Sequence, residues 1–218
     1  MCGYTLRQYK FTHFERGSMK QARVITPTEL KRLLRLVSTT KHAKRNRLMV
    51  MLSYMAGLRA CEIAALKVSD VINFVDDGWE VKSEVLLSSE QTKGAKAQTI
   101  IINSALQKEI SDYFKAHRNT LQRDGYLLVS QKRGGFSSQT IQNLFRELYH
   151  AAAIPHASSH SGRRTFITTL SEQGVSVRLI QALARHSNLG TTQKYIDVSS
   201  EKLRGAAEHA VLSLNERA

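Results

Sequence analysis

Three short segments of this 218-residue chain concentrate side chains that handle phosphates and protons. The first is Ala56-Gly57-Leu58-Arg59-Ala60-Cys61-Glu62-Ile63. Gly57 breaks a helical stretch and Arg59 opens the next one, so its guanidinium can join helix-terminal amides around an anion. Glu62 follows one turn later and can hold that guanidinium in place. Taken alone, this segment reads as a surface Arg–Glu pair. The second segment is His160-Ser161-Gly162-Arg163-Arg164-Thr165-Phe166. His160 and Arg163 are three residues apart, so a helix projects them the same way. An imidazole that moves protons beside a guanidinium that neutralises charge suits a phosphate. His156 and His160 have the i, i+4 spacing of a zinc protease helix, but position 157 is Ala where that motif requires Glu. No metal is expected there. The third segment runs from Leu183 through Arg185 and His186 to Tyr195. A lone Tyr or His is ordinarily a packing or surface residue, so this spacing alone proves little.

These residues need elements to position them. Thr26-Pro27-Thr28-Glu29 is a helix-start signature, and Leu30, Leu33, Leu34 and Val37 follow at helical spacing. A basic loop from Lys41 to Arg47 leads to a second helix, Leu48 to Met55; Arg59 to Leu66 reads as a third. The stretches 71–74, 81–87 and 99–102 are rich in β-branched and apolar residues, with turns at Asp76-Asp77-Gly78 and Lys93-Gly94. Helices are then expected over 104–117, 137–153, 162–174, 176–184, 191–195 and 201–214. The predicted fold class is α+β, mainly α-helical with a small antiparallel three-stranded sheet. Residues 1–25 read as an N-terminal arm in which Tyr4, Tyr9, Phe11 and Phe14 are mixed with Arg7, Lys10, Arg16 and Lys20 without clean periodicity. Within it, Gly17-Ser18-Met19 resembles a cloning scar followed by a start codon. Residues 26–218 read as one domain ending in the helix 201–214.

Composition narrows the partner. Thirty-two Lys and Arg against 18 Asp and Glu leave a net charge of +14, a field that attracts polyanions. Nucleic acid is the expected partner; basic ribosomal and membrane-surface proteins have similar balances. The 42% of hydrophobic residues supports a real core. No apolar run approaches the roughly 18 residues of a membrane span, and the first 20 residues lack a secretory pattern. Cys2 and Cys61 have neither metal-site nor disulfide-framework spacing, which fits a reducing cytoplasm. There is no P-loop, and Gly134-Gly135 reads as a turn, so no nucleotide cofactor is expected.

Taken together, the segments resemble the tyrosine recombinases of the phage integrase type. The Gly-Leu-Arg-x-x-Glu box, the His-x-x-Arg box and the His-(x)8-Tyr box occur here in that family's order, and the resemblance covers roughly residues 26–215. It implies a metal-free DNA strand transferase. Arg59 and Arg163 would clamp the scissile phosphate, His186 would add a donor, His160 would take the proton of the nucleophile, and Tyr195 would be that nucleophile. The family's lysine from a β-hairpin turn maps to Thr92-Lys93-Gly94-Ala95-Lys96, with Lys93 the better fit, although an ordinary charged hairpin has the same composition. Attack by a phenol builds negative charge on the non-bridging phosphate oxygens, which two guanidiniums and an imidazole can offset. A phenol titrates near 10 and needs help losing its proton, while the leaving 5′-hydroxyl needs one supplied. The 3′-phosphotyrosyl bond conserves the energy of the broken one, so rejoining needs no ATP.

Two departures stand out. Arg185 precedes His186 where the family usually has Gly, which either crowds the turn or adds a phosphate contact. Full-length members also carry an N-terminal core-binding domain of roughly a hundred residues. Here only residues 1–25 precede the matching region, so the chain is expected to be either a fragment or a short member resembling the fimbrial phase-variation recombinases. The expected partners are double-stranded DNA and further copies of the chain, assembling on DNA as a dimer to tetramer, with accessory DNA-bending proteins compatible. Helix 201–214, with an apolar stripe through Leu203, Ala206, Ala207, Ala210, Val211 and Leu214, would dock on a neighbour or pack on its own domain. Two alternatives share the residues: a DNA-binding regulator without catalysis, and a type IB topoisomerase-like strand transferase.

Overall fold

The computed structural model describes residues 22–92, 96–131 and 134–195, and, in the tail, Arg204, Gly205, Ala207 and Glu208. Residues 1–21 of the arm, Lys93 and Gly94 of the expected turn, and most of the expected helix 201–214 lie outside the described residues.

The helix-start signature acts as expected. The Thr26 hydroxyl accepts from the Glu29 N–H at 3.3 Å, and the Glu29 carboxylate accepts from the Thr26 N–H at 3.0 Å. This reciprocal cap opens α1 (Pro27–Ser38), whose Leu33 and Val37 enter the core. The second helix, α2 (Ala43–Ala56), starts five residues before the expected Leu48. Its basic stretch is helical because both arginines have long-range anchors. Arg45 lies 5.0 Å over the Phe136 ring, and Arg47 forms a two-pronged pair with Glu109. From Leu48 to Tyr54 every residue of α2 is buried, so this helix is the axis of the domain rather than an amphipathic surface element.

Around that axis pack α1, α5 (Ser104–His117) and α7 (Ser161–Glu172), while α3 (Ala60–Ala65) packs on α6 (Ser138–Ala151). Asn103 and Ser137 cap α5 and α6 by accepting from the N–H groups of Leu106 and Thr140. One cluster of buried apolar residues unites α1 to α6 with the strands. A second, small cluster of Ile167, Ile180 and Ala184 joins α7 to α8 (Val177–Ala184), and Tyr195 packs on it. The chain then turns through α9 (Leu189–Gln193).

The strands form two antiparallel hairpins rather than one three-stranded sheet. After the short α4 (Val68–Val71), which the periodicity did not reveal, β1 (Ile72–Val75) pairs with β2 (Gly78–Val81). Next, β3 (Glu84–Leu87) pairs with β4 (Gln98–Ile101). The expected strand 81–87 is cut at Lys82-Ser83 because the chain changes pairing partner there. Lys82 N–H still donates back to Val71, whereas the Ser83 carbonyl already accepts from Ile102. No helix among the described residues is long and apolar enough to cross a membrane.

Candidate active site

Arginines join the ends of two helices. The last carbonyls of a helix lack intrahelical donors and carry the negative end of its dipole, so they draw cationic donors. Arg163, on α7, donates from Nη1 to the Gly57 carbonyl at 2.6 Å and from Nη2 to the Ala184 carbonyl. It thereby bridges the ends of α2 and α8. Arg185 donates to the carbonyls of Ala56, Gly57 and Leu183 and to Glu62 Oε2 at 2.9 Å. Glu62 is fully buried in α3. Its carboxylate also accepts from the Arg59 N–H at 2.9 Å and from Arg59 Nη1 at 2.5 Å. The expected one-turn pairing of Arg59 with Glu62 is therefore present, but it is half-buried rather than a surface pair, since the Arg59 side chain is 22% exposed.

The electrostatics follow from three cations around one anion. Burial alone would raise the Glu62 carboxyl, but Arg185, then Arg59 by its backbone N–H and its charge, outweigh that and hold it below the usual carboxylate range. Burial, then Arg59 and Arg185, bring Arg163 down to about 9, which still leaves it a cation at neutral pH. His186 follows Arg185 and is pushed down to about 4 by burial first, then by Arg163, Arg59 and Arg185. It is a neutral imidazole at pH 7, oriented by Thr192, whose hydroxyl lies 2.9 Å from Nδ1.

The turn through α9 returns Tyr195 to this cluster. Asn188 caps α9 by accepting from Gly190, and Tyr195 N–H donates to Thr192. The Tyr195 ring stacks beside His186, centroids 6.1 Å apart, and the Arg164 guanidinium lies 5.4 Å from the Tyr195 ring centre. Arg59, Glu62, Arg163, His186 and Tyr195 are thus gathered in one place. His160 stands exposed at the head of α7, one turn before Arg163, and its carbonyl accepts from Arg164 N–H. Lys93 lies outside the described residues. Two residues of the cluster were not among the candidates. Arg164 had one signal, the Arg163-Arg164 doublet, but only packing gives it the Tyr195 ring. Arg185 was visible as a departure: it strains the turn, in the left-handed region at φ 56°, and its side chain points inward rather than to solvent.

Gly57 is required by the same geometry. It ends α2 in the left-handed region at φ +59°, and a Cβ there would lie 2.7 Å from Phe166 Cδ1. Gly57→Ala is expected to destabilise the fold by about 1–3 kcal/mol, read as a lowered urea midpoint with unchanged slope. An unchanged midpoint would mean that neither the turn nor the Phe166 contact is constrained.

With this geometry in place, the chain can be compared with known proteins. It belongs to the phage integrase family, whose family model matches residues 23–202. It is 38% identical over 192 residues to the tyrosine recombinase XerA of Thermococcus kodakarensis, covering 87% of this chain and 63% of that protein. It is 30% identical over 189 residues to XerD of Neisseria meningitidis, covering 85% of this chain and 62% of the relative. The crystal structure of XerA recombinase superposes with a TM-score of 0.67 at 26% identity, covering 87% of this chain and 66% of that one. XerH site-specific recombinase bound to palindromic difH substrate, a post-cleavage complex, shares the fold with a TM-score of 0.64 at 18% identity, over 84% of this chain and 51% of that one. The chain therefore spans somewhat under two thirds of the curated relatives it matches.

Proposed function

We propose that this chain is the catalytic part of a site-specific tyrosine recombinase that cleaves and rejoins double-stranded DNA through a 3′-phosphotyrosyl link to Tyr195. One observation carries the reading: Arg59, Arg163 and Arg185 surround the single carboxylate of Glu62, and Tyr195 with a neutral His186 lies against this cationic excess. Such a centre suits an anion that gains charge as it reacts. The family membership and the recombinase relatives support the same reading.

In this mechanism Arg59 and Arg163 hold the non-bridging oxygens and His186 donates a ring N–H to one of them. The Tyr195 oxygen attacks phosphorus as the bond to the 5′-oxygen breaks. The phenolic proton passes to His160, and Lys93 supplies one to the departing 5′-hydroxyl. Attack by a second 5′-hydroxyl on the phosphotyrosyl bond reverses these transfers and rejoins the strand. The expected helix over 201–214, docked on a neighbouring copy, would couple cleavage to assembly on paired sites, so the protein alone is expected to be mainly monomeric and to assemble on DNA.

The test is a set of nicked DNA duplexes carrying inverted repeats from the DNA flanking the gene, from which the short fragment bearing the free 5′-hydroxyl diffuses away and leaves the covalent adduct trapped. A denaturation-resistant protein–DNA band is expected. A protein that binds the site and never forms that band would instead be a DNA-binding regulator, and relaxation of supercoils without defined sites would identify a topoisomerase. Because the guanidiniums take the role a divalent ion would otherwise have, adduct formation is expected to persist in EDTA. Full inhibition by the chelator, reversed by magnesium, would refute that mechanism.

A further inference from the structure

Arg185 adopts a conformation that side chains other than Gly avoid. It ends α8 at φ 56°, ψ 45°, a left-handed geometry costing about 1–2 kcal/mol. Its side chain is 4% exposed, so the charge does not reach the surface. The guanidinium is instead spent inside: on two carbonyls that end α2, on one near the end of α8, and on Glu62. Gly57 O receives both Arg185 and Arg163, and Glu62 receives both Arg185 and Arg59. Arg185 therefore shares an acceptor with each of the two arginines that face the reacting phosphate, and touches no other ionised group among the described residues.

We infer that Arg185 is a positioning residue for Arg59 and Arg163: it locks the ends of α2 and α8 in register and absorbs the charge of Glu62. This rests on the DNA-cleavage reading above. Without Arg185, the buried carboxylate would have Arg59 alone as its ion-pair partner. That guanidinium would be drawn towards Glu62 and would offer less charge to a phosphate. The end of α8 would keep only its bridge through Arg163, and this end carries His186 and, through α9, Tyr195. One fixed charge thereby ties the segment bearing the nucleophile to the segment bearing the phosphate clamp. The groups facing His186 are Arg163 from α7, Arg59 from the start of α3, Thr192 and Tyr195 from α9 and its end, and its neighbour Arg185. Removing Arg185 takes one of three cations from this set, so His186 should titrate closer to its ordinary value.

Arg185→Gly removes the side chain while suiting the left-handed backbone, and Arg185→Lys keeps the charge but cannot reach four acceptors at once. Three quantities are measured: the His186 ring titration by nitrogen-15 NMR in the DNA-free protein, DNA affinity in a Tyr195→Phe background, and single-turnover cleavage of the nicked duplex. Arg185→Gly is expected to leave affinity unchanged, slow cleavage roughly 10- to 100-fold, and move the His186 titration upward. Arg185→Lys is expected to keep that titration near wild type and recover only part of the rate. Cleavage within twofold of wild type in both variants would overturn the inference, as would affinity falling in step with rate, which would make Arg185 a phosphate contact. If Arg185→Gly fails to fold, Arg185→Lys decides alone by its rate at unchanged affinity. If wild type forms no adduct, the DNA-cleavage reading fails, while an unmoved His186 titration still refutes the inference separately.

Discussion

Tyr195→Phe is expected to abolish the covalent protein–DNA adduct while leaving DNA affinity within about twofold, the range of a substitution that removes no packing. The variant keeps the ring that packs on Ile167, Ile180 and Ala184, stacks with His186 and lies under Arg164. It loses only the oxygen that would attack phosphorus. The structure also narrows what could replace that oxygen. Tyr113 and Tyr149 are 2% and 1% exposed, and burial pushes both hydroxyls up, Tyr113 to about 12. Tyr54 is buried as well. Tyr126 is 45% exposed but lines a separate cleft with Lys41, Arg45 and His117. An adduct that survives Tyr195→Phe would therefore displace the nucleophile to Tyr126 or to a residue outside the described ones, and peptide mapping of the adduct would show which.

Arg59→Ala is expected to slow cleavage on the order of 10²–10³-fold, the loss typical of one preorganised donor to a developing oxyanion. Its effect on folding should be small, because Glu62 keeps Arg185 as a partner. Arg163→Ala should lose at least as much rate and also stability, about 2–4 kcal/mol, since it leaves the carbonyls of Gly57 and Ala184 without that donor inside the fold. Arg163→Lys separates the two effects: it restores a cation but cannot bridge both helix ends, so it should recover stability only in part and remain slow. Rates and dissociation constants measured at one salt concentration check this. If Arg59→Ala weakens binding as much as it slows cleavage, its contribution is made equally in the ground state, and Arg59 is a docking contact.

Much of this protein is decided locally and is legible in its sequence. The Thr26–Glu29 cap opens α1 because a hydroxyl and a carboxylate three residues apart satisfy each other's backbone N–H groups whatever lies beyond. Helix α5 occupies Ser104–His117 as its apolar spacing and the Asn103 cap require. The order of the three boxes, with an Arg after a Gly break, a His one turn before an Arg, and a Tyr nine residues after a His, was enough to place the chain among the tyrosine recombinases. Tertiary structure decided the rest. The break at Lys82-Ser83 depends on which strand lies alongside, and no residue in 81–87 carries that information. Helix α2 extends back through a basic stretch because Phe136 and Glu109, distant in sequence, receive its arginines. Arg185 looked like a residue in the wrong place because its partners, Ala56, Gly57 and Glu62, are more than 120 positions away. A buried charge is tolerable only where acceptors converge on it, and that convergence of helix ends belongs to the fold.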